Sequence, residues 1–352
     1  MSDKPKVYIA GVGMITAVGA DAEMTAAAVK AGVSAYQEAA YFDKAFNKIK
    51  MALVPEEVLA DCLNEELLQG DLTSKQARML QLAKSALSDL AFSIPEGLEV
   101  PLFIAGPESV DSTELGISQL FLENVERQSG IKIDKQSSRV ISTGRAGSLS
   151  VINLAFRYFE SSSQDCVVVG AVDTFYDKQT LDYLGKRDRL LCGPATDGFI
   201  PGEAAVFLLL SRVKNEKDSE AVCFYEAGNG FEKGHLYSDE VYTGDGLSGA
   251  CSMAINNADV NKIKSIYASL NGESYFAKEY GVAMTRNSDV LAENVKTFHP
   301  ADCVGDLGAA TGLVYAGVIA SDIQVDRALM PALICCSSDK GQRTAVVVHH
   351  LS

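Results

Sequence analysis

The chain has 352 residues, 47% hydrophobic and 22% charged, a composition ordinary for a globular protein large enough for two domains or two similar halves. Its 46 acidic residues outweigh 31 basic ones, for a formal charge of −15; such a field repels a phosphate backbone and argues against nucleic-acid binding. No apolar run is long enough to span a bilayer, and Met1 to Lys6 lacks the basic, apolar and small-residue succession of a signal peptide, so no membrane is expected and the expected location is the cytoplasm.

Val7 to Met14 reads as a buried strand ending in a glycine turn, followed by a small-residue helix around Ala22 to Ala31. Between Leu72 and Phe92, Met79, Ala83, Ala86, Leu87 and Leu90 make one helical face, with Thr73 or Ser74 as its cap. Pro101 to Gly106 is a short buried strand. Arg139 to Gly147 reads as a strand and a tight turn, after which Leu149, Ile152, Phe156 and Phe159 recur at helical spacing; Asp165 to Val172 returns as a strand. This strand–turn–helix–strand unit has the form of a parallel crossover inside a covered sheet.

Asp197 to Ala205 is a glycine turn leading into a strand from Val206 to Leu210, and Arg212 to Glu220 is a charged linker. Val222 to Gly230 then echoes the opening strand and glycine turn, which places a boundary near Lys217 and predicts two halves, 1–217 and 218–352. Ala332–Cys336 and Thr344–Val348 read as a closing pair of strands. The alternation of strands and helices gives an α/β class.

Eight cysteines, Cys62, Cys166, Cys192, Cys223, Cys251, Cys303, Cys335 and Cys336, include no C-x-x-C pair and read as reduced thiols. His235, His299, His349 and His350 have no metal-ligand spacing, so neither a metal nor another cofactor is expected. The basic cluster Lys186-Arg187-Asp188-Arg189 reads as a solvated turn.

Four segments, in order, resemble the β-ketoacyl synthases of the thiolase-like superfamily. Val7 to Thr16 is similar to the family's opening strand, and Val140 to Ser148 to the strand-to-helix elbow that carries its nucleophile. Val167 to Asp173 matches its Gly-x-Val-Asp strand, and Asp197-Gly-Phe-Ile-Pro-Gly-Glu-Ala-Ala205 its Asp-Gly-Phe-x-x-Gly-Glu-Gly-Ala turn, with Ala204 in place of glycine. The resemblance implies a thiolase-like fold, five layers αβαβα built from two pseudo-symmetric halves. It also implies a homodimer or a heterodimer with a synthase-like subunit.

The chemistry implied by the family is absent at five positions. Decarboxylative condensation needs a cysteine thiolate, favoured at a helix N-terminus, and two histidines to stabilise the developing charges. Arg145 stands where the cysteine should be; it cannot be acylated and stays protonated. Asn271 replaces the first histidine. Gly305, or with a one-residue gap Asp306, replaces the second. The usual lysine before that motif is missing, and the glycine-rich gate is replaced by Ser337 to Gln342. A buried guanidinium demands an anion, which predicts Arg145 paired with Asp306 or Glu273 and Asn271 sharing their hydrogen bonds. Thr143, Gly144, Cys192, Phe199, Glu273 and Cys303 are the further candidates for the pocket lining, with Cys192 and Cys303 expected to be inert.

Three functions are compatible with this pattern. One is a non-catalytic partner subunit like a chain-length factor, with contact to acyl carrier protein left open. Another is an adaptor for a client protein. The third is a re-purposed acyltransferase-like enzyme, or a binder of a small anionic ligand, using the pocket around Arg145. The loss of every expected catalytic group ranks the two non-catalytic roles first.

Overall fold

The structure is a computed structural model that describes residues 4–59, 64, 67, 72–109, 117–193, 195–214, 221–321 and 327–351. Its strands are β1 (Lys6–Thr16), β2 (Tyr36–Phe42), β3 (Lys48–Ala52), β4 (Leu102–Ala105), β5 (Arg139–Ile141), β6 (Cys166–Thr174), β7 (Glu203–Ser211), β8 (Ala221–Tyr225), β9 (Gly228–Phe231), β10 (Ile263–Ala268), β11 (Leu291–Phe298), β12 (Ala332–Ser337) and β13 (Gln342–Leu351). The α-helices among the described residues are α1 (Ala22–Lys30), α2 (Glu56–Leu59), α3 (Ser74–Leu90), α4 (Gln119–Ser129), α5 (Arg145–Ser161), α6 (Lys178–Lys186), α7 (Asp245–Asn257), α8 (Ser274–Arg286), α9 (Ala301–Val304) and α10 (Thr311–Ser321).

The strand order β11-β10-β12-β13-β8-β1-β7-β6-β4-β5 contains the same pattern twice. Outward from β1, the pairs with β7 and β6 are antiparallel and those with β4 and β5 parallel; outward from β8, β13 and β12 are antiparallel and β10 and β11 parallel. The chain passes from one set to the other between Ser211 and Ala221, and the predicted boundary at Lys217 lies outside the described residues, as does Cys62. The two sets are joined through β1, whose first residues pair with β8 and whose remainder pairs with β7 across an irregularity at Ile9 and Gly11.

Five layers follow from which faces are apolar. Helices α5 and α10 lie between the two sets of strands: Leu149, Ile152, Leu313 and Val314 share one core with Val167, Val169, Ile334 and Val346. The opposite face of the first set, Val168, Val172, Phe207 and Leu209, is covered by α3 and α4. That of the second, Leu333, Cys335 and Val347, is covered by α7 and α8. Strands such as Val167–Val172 are therefore buried on both faces, which is why they read as continuous apolar runs without alternation.

Local signals hold where the side chains act locally. Thr73 caps α3 in a reciprocal capping box with Gln76, and Asp21 accepts from Met24 N at 2.7 Å to start α1. Gly13 is needed because α3 lies directly on β1: a Cβ there would sit 2.0 Å from Ala86 O. Pro300 precedes the single-turn α9 and does not break it, because proline is compatible with a helix start. The seven described cysteines are free thiols. No described helix is long and apolar enough to cross a membrane.

Candidate functional site

The elbow after β5 brings Arg145 to the first turn of α5. Gly144 takes φ +65, a conformation costly for other residues, and a Cβ there would sit 3.1 Å from Glu108 Cβ. Arg145 is 4% exposed, so its guanidinium must find its partners inside the protein. Arg145 Nε donates to both oxygens of Asp306 at 3.0 Å, Nη2 donates to Asp306 Oδ2, and Nη1 reaches Asp339 Oδ1 at 2.7 Å. Phe276 and Phe199 lie 5.2 and 5.9 Å from the guanidinium carbon. Burial alone would lower the guanidinium pKa; the charges of Asp306 and Asp339 outweigh it and hold the pKa well above its ordinary value.

A second buried arginine completes the cluster. Arg189, expected in a solvated turn, is 5% exposed. Its Nε and Nη2 clamp Glu273 at 2.7 and 2.6 Å, and its Nη1 bonds Asp339 Oδ2 and the Tyr237 hydroxyl. Only part of the basic run is solvated: Arg187 and Asp188 are exposed, and Asp188 pairs with Lys44. Arg189 turns inward because the backbone of Arg189 and Leu191 pairs with Phe199 of the Asp-Gly-Phe turn, carrying the side chain beneath that turn.

Asn271 joins the two arginine sites. Its amide donates to Asp306 Oδ2 at 2.8 Å and Glu273 Oε2 at 2.9 Å, while its carbonyl oxygen accepts from Glu273 N. The Asn271–Gly272 turn runs close to the Asp-Gly-Phe turn, since a Cβ on Gly272 would lie 2.9 Å from Gly198 O. Asp197 of that turn accepts from Ser274 N and Ser274 Oγ and so caps α8 from across the site. Asp306 is held by backbone bonds to Ile200 and Gly202, and its side chain also accepts from Gly308 N. Gly305, the ungapped alternative, has φ +70 and supplies the bend that aims Asp306 inward.

Asp339, like Arg189, is a residue of the network that sequence reasoning missed. It lies in the Ser337–Gln342 turn between β12 and β13 and bridges Arg145 and Arg189. Burial would raise its pKa, but Arg189 and then Arg145 hold its carboxyl well below the usual carboxylate range. The same turn sends Ser338 Oγ to accept from Ala146 N at 2.9 Å and donate to Thr143 O. An amide of the α5 N-terminus that could face a developing anion is thus already bonded within the protein.

Glu108 anchors this turn from the far side by accepting from Asp339 N at 2.9 Å and Lys340 N at 3.1 Å. Burial, followed by the neighbouring charge of Asp339, pushes the Glu108 pKa up to about 7. Because the native state holds this proton when the unfolded chain has lost it, stability should decline from about pH 4.5 to about pH 7. Urea unfolding across that range checks the sign, and Glu108→Gln should flatten the decline.

Of the predicted lining, Thr143, Gly144, Phe199 and Glu273 belong to the site, but Cys192 and Cys303 do not join it. Cys192 donates to Asp43 Oδ2 at 3.3 Å beside the β2–β3 hairpin, and burial followed by Asp43 raises its pKa to about 11. Cys303 approaches the Val29 carbonyl of α1, and burial followed by Asp302 raises its pKa. Neither has the electropositive surroundings that make a thiol reactive. A pocket of about 530 Å³ meets the network at Glu108, Tyr183 and Asp339. The space directly beside Arg145 is about 60 Å³, bounded also by Lys75, Asp173 and Glu108, and holds a few waters. Lys75 enters this space from α3 to pair with the buried Asp173 at 3.4 Å. Among the described residues no cluster of His, Cys, Asp and Glu could hold a metal.

This architecture is the thiolase-like fold of the ketosynthases. The ishigamide ketosynthase/chain length factor structure superposes with a TM-score of 0.77 over 98% of this chain and 99% of its own, at 15% identity. A ketosynthase in complex with its chain length factor from Xenorhabdus doucetiae gives a TM-score of 0.73 at 18% identity, covering 98% of each chain. A β-ketoacyl synthase from Burkholderia phymatum gives 0.71 at 16% identity, covering 99% of this chain and 100% of that one. No family model matches the sequence, and no curated protein matches it. Likeness at these identities carries the fold and leaves activity to be argued from the residues.

Proposed function

We propose that this chain is a non-catalytic ketosynthase-like partner subunit, comparable in role to a chain length factor, whose former active-site position is now structural. In this reading 1–217 and 218–352 are its duplicated halves, and Arg145, Asn271, Gly305 and Asp306 are the degenerate positions of the ancestral site. The observation that carries it is the closure of the Arg145 position. Asp306 and Asp339 are both engaged with Arg145, and this ion-pair network stands at the position where the resemblance would put an acyl-enzyme. A condensing enzyme needs an accessible nucleophile and room for its acyl chain. A partner subunit needs only the fold and its surfaces. Two of the structures with this fold are described as ketosynthases together with chain length factors, which supports a synthase-like partner.

Two measurements test the proposal. The isolated chain given a malonyl thioester and an acyl primer should give no condensation above the uncatalysed rate. Purification from its native cells should recover a ketosynthase with an intact cysteine in a stoichiometric complex. Turnover by the isolated chain that disappears on Cys192→Ala or Cys303→Ala would overturn the reading. Recovery of a client unrelated to acyl chemistry, with no ketosynthase present, would replace the subunit role by an adaptor role.

A further inference from the structure

The sequence contains two Asn-Gly pairs, Asn229-Gly230 and Asn271-Gly272, and the fold sets them in unlike surroundings. Glycine leaves its own nitrogen unshielded and its backbone free to turn, so this dipeptide is the one in which the nitrogen most readily attacks the asparagine side chain. Asn229-Gly230 lies in β9, where the ladder with β13 sets Asn229 opposite Thr344 and Gly230 opposite Arg343. A fixed ladder denies the backbone the rotation that such a ring closure requires. Asn271-Gly272 lies outside the strands and helices, immediately before α8. Gly272 is exposed, at φ +109, and among the described residues its N–H has no acceptor. Glu273 N donates to Asn271 Oδ1 at 3.1 Å, which folds the side-chain carbonyl back over the Gly272 peptide. The same donor faces the oxygen on which negative charge grows as the ring closes.

We propose that Asn271 is a site of spontaneous deamidation, and that its conversion opens the arginine network irreversibly. The Gly272 nitrogen bonds to Asn271 Cγ, the bond from Cγ to Nδ2 breaks, and ammonia leaves with the proton that Gly272 gives up. Water then opens the succinimide at either carbonyl, leaving aspartate or isoaspartate at 271. Nothing is oxidised or reduced, and water is the sole co-reactant. Two carboxylates hold the leaving nitrogen, Asp306 Oδ2 at 2.8 Å and Glu273 Oε2 at 2.9 Å, so the closed network slows the reaction relative to the unfolded chain. They also make it one-way. Once the amide is a carboxylate it has no N–H to donate, and it adds a like charge beside Asp306 and Glu273. Isoaspartate also lengthens the backbone of a turn that packs against Gly198. This inference rests on the geometry of the network and holds whether or not the chain partners a synthase.

The test ages the full chain in mildly alkaline buffer and follows both Asn-Gly peptides by mass spectrometry, which reads the exchange of amide for acid. In the folded chain Asn271 should convert at least about tenfold faster than Asn229. In the urea-unfolded chain, where neither context survives, the two should convert at similar rates. A folded chain that loses the Asn229 amide as fast as the Asn271 amide would overturn the assignment. So would one that keeps both amides over a period in which the unfolded chain loses both. The consequence is read on the aged protein itself, separated by ion exchange into unmodified and modified fractions. The modified fraction should unfold at a lower urea concentration, and freshly made Asn271→Asp should show the same lowering. Equal midpoints in the two fractions would overturn the opening of the network.

Discussion

Replacing Asp306 with alanine should lower the unfolding free energy by about 3–5 kcal/mol, because it strands a guanidinium in a buried position. Arg145 would lose the carboxylate that meets its Nε and Nη2 and keep only Asp339, which it shares with Arg189. Asn271 and Gly308 N would lose an acceptor at the same time. The companion double replacement, Arg145→Met with Asp306→Leu, removes both charges and should recover most of the loss, since apolar side chains of similar volume can substitute for a buried pair. Denaturant unfolding of the three proteins decides it. A loss under about 1 kcal/mol in Asp306→Ala would mean that water or a shifted side chain reaches Arg145 readily.

Arg189→Met should cost a comparable amount, about 3–5 kcal/mol, by leaving Glu273 without its clamp and Asp339 with one arginine instead of two. The two arginines should also be coupled through Asp339. In a double-mutant cycle with Arg145→Met, the interaction energy should be about 0.5–3 kcal/mol in magnitude, the range for side chains in one network. Additive losses would show that Asp339 is not a working bridge. A separate pH readout follows from its depressed pKa. The stability that Asp339 contributes is present above the unfolded carboxyl pKa and is lost as pH falls towards its native value. Arg189 is the larger source of that depression, so Arg189→Met should flatten the acid-side loss more than Arg145→Met does.

The pairing of Arg145 with Asp306 followed from one inference, that a cation in an otherwise apolar elbow must find an anion. The same inference offered Glu273 equally, and the structure assigns Glu273 to Arg189. Asn271 was legible because the resemblance puts it where the family has its first histidine, and the structure shows its amide between the two carboxylates. Asp339 and Arg189 were not legible. Each sits in a stretch whose composition matches an exposed loop, and burial there comes from segments far away in the chain. A useful signal was still present: the resemblance aligns the turn that contains Asp339 with the family's gate, beside the elbow that contains Arg145. Cys192 and Cys303 failed for the complementary reason, since nearness in sequence to a site motif does not determine the direction of a side chain.

Strands β2, β3, β10 and β11 and helices α4, α7, α8 and α10 became visible only in the structure. By itself the sequence determined the strand–turn–helix–strand unit from Arg139 to Val172, the strands near Val7, Pro101, Val206, Ala332 and Thr344, the helix beginning near Ala22, the cap at Thr73 or Ser74, and an arginine at position 145 where the resemblance puts a nucleophile. These depend on residue identity and on interactions within a few positions along the chain. Only the tertiary structure decided whether the Arg145 site was open or filled. Asp306 lies 161 residues from Arg145, Asp339 lies 194 from it, and Glu273 lies 84 from Arg189. A charge's cost or benefit depends on the dielectric and the partners around it, and both exist only once distant segments have packed together.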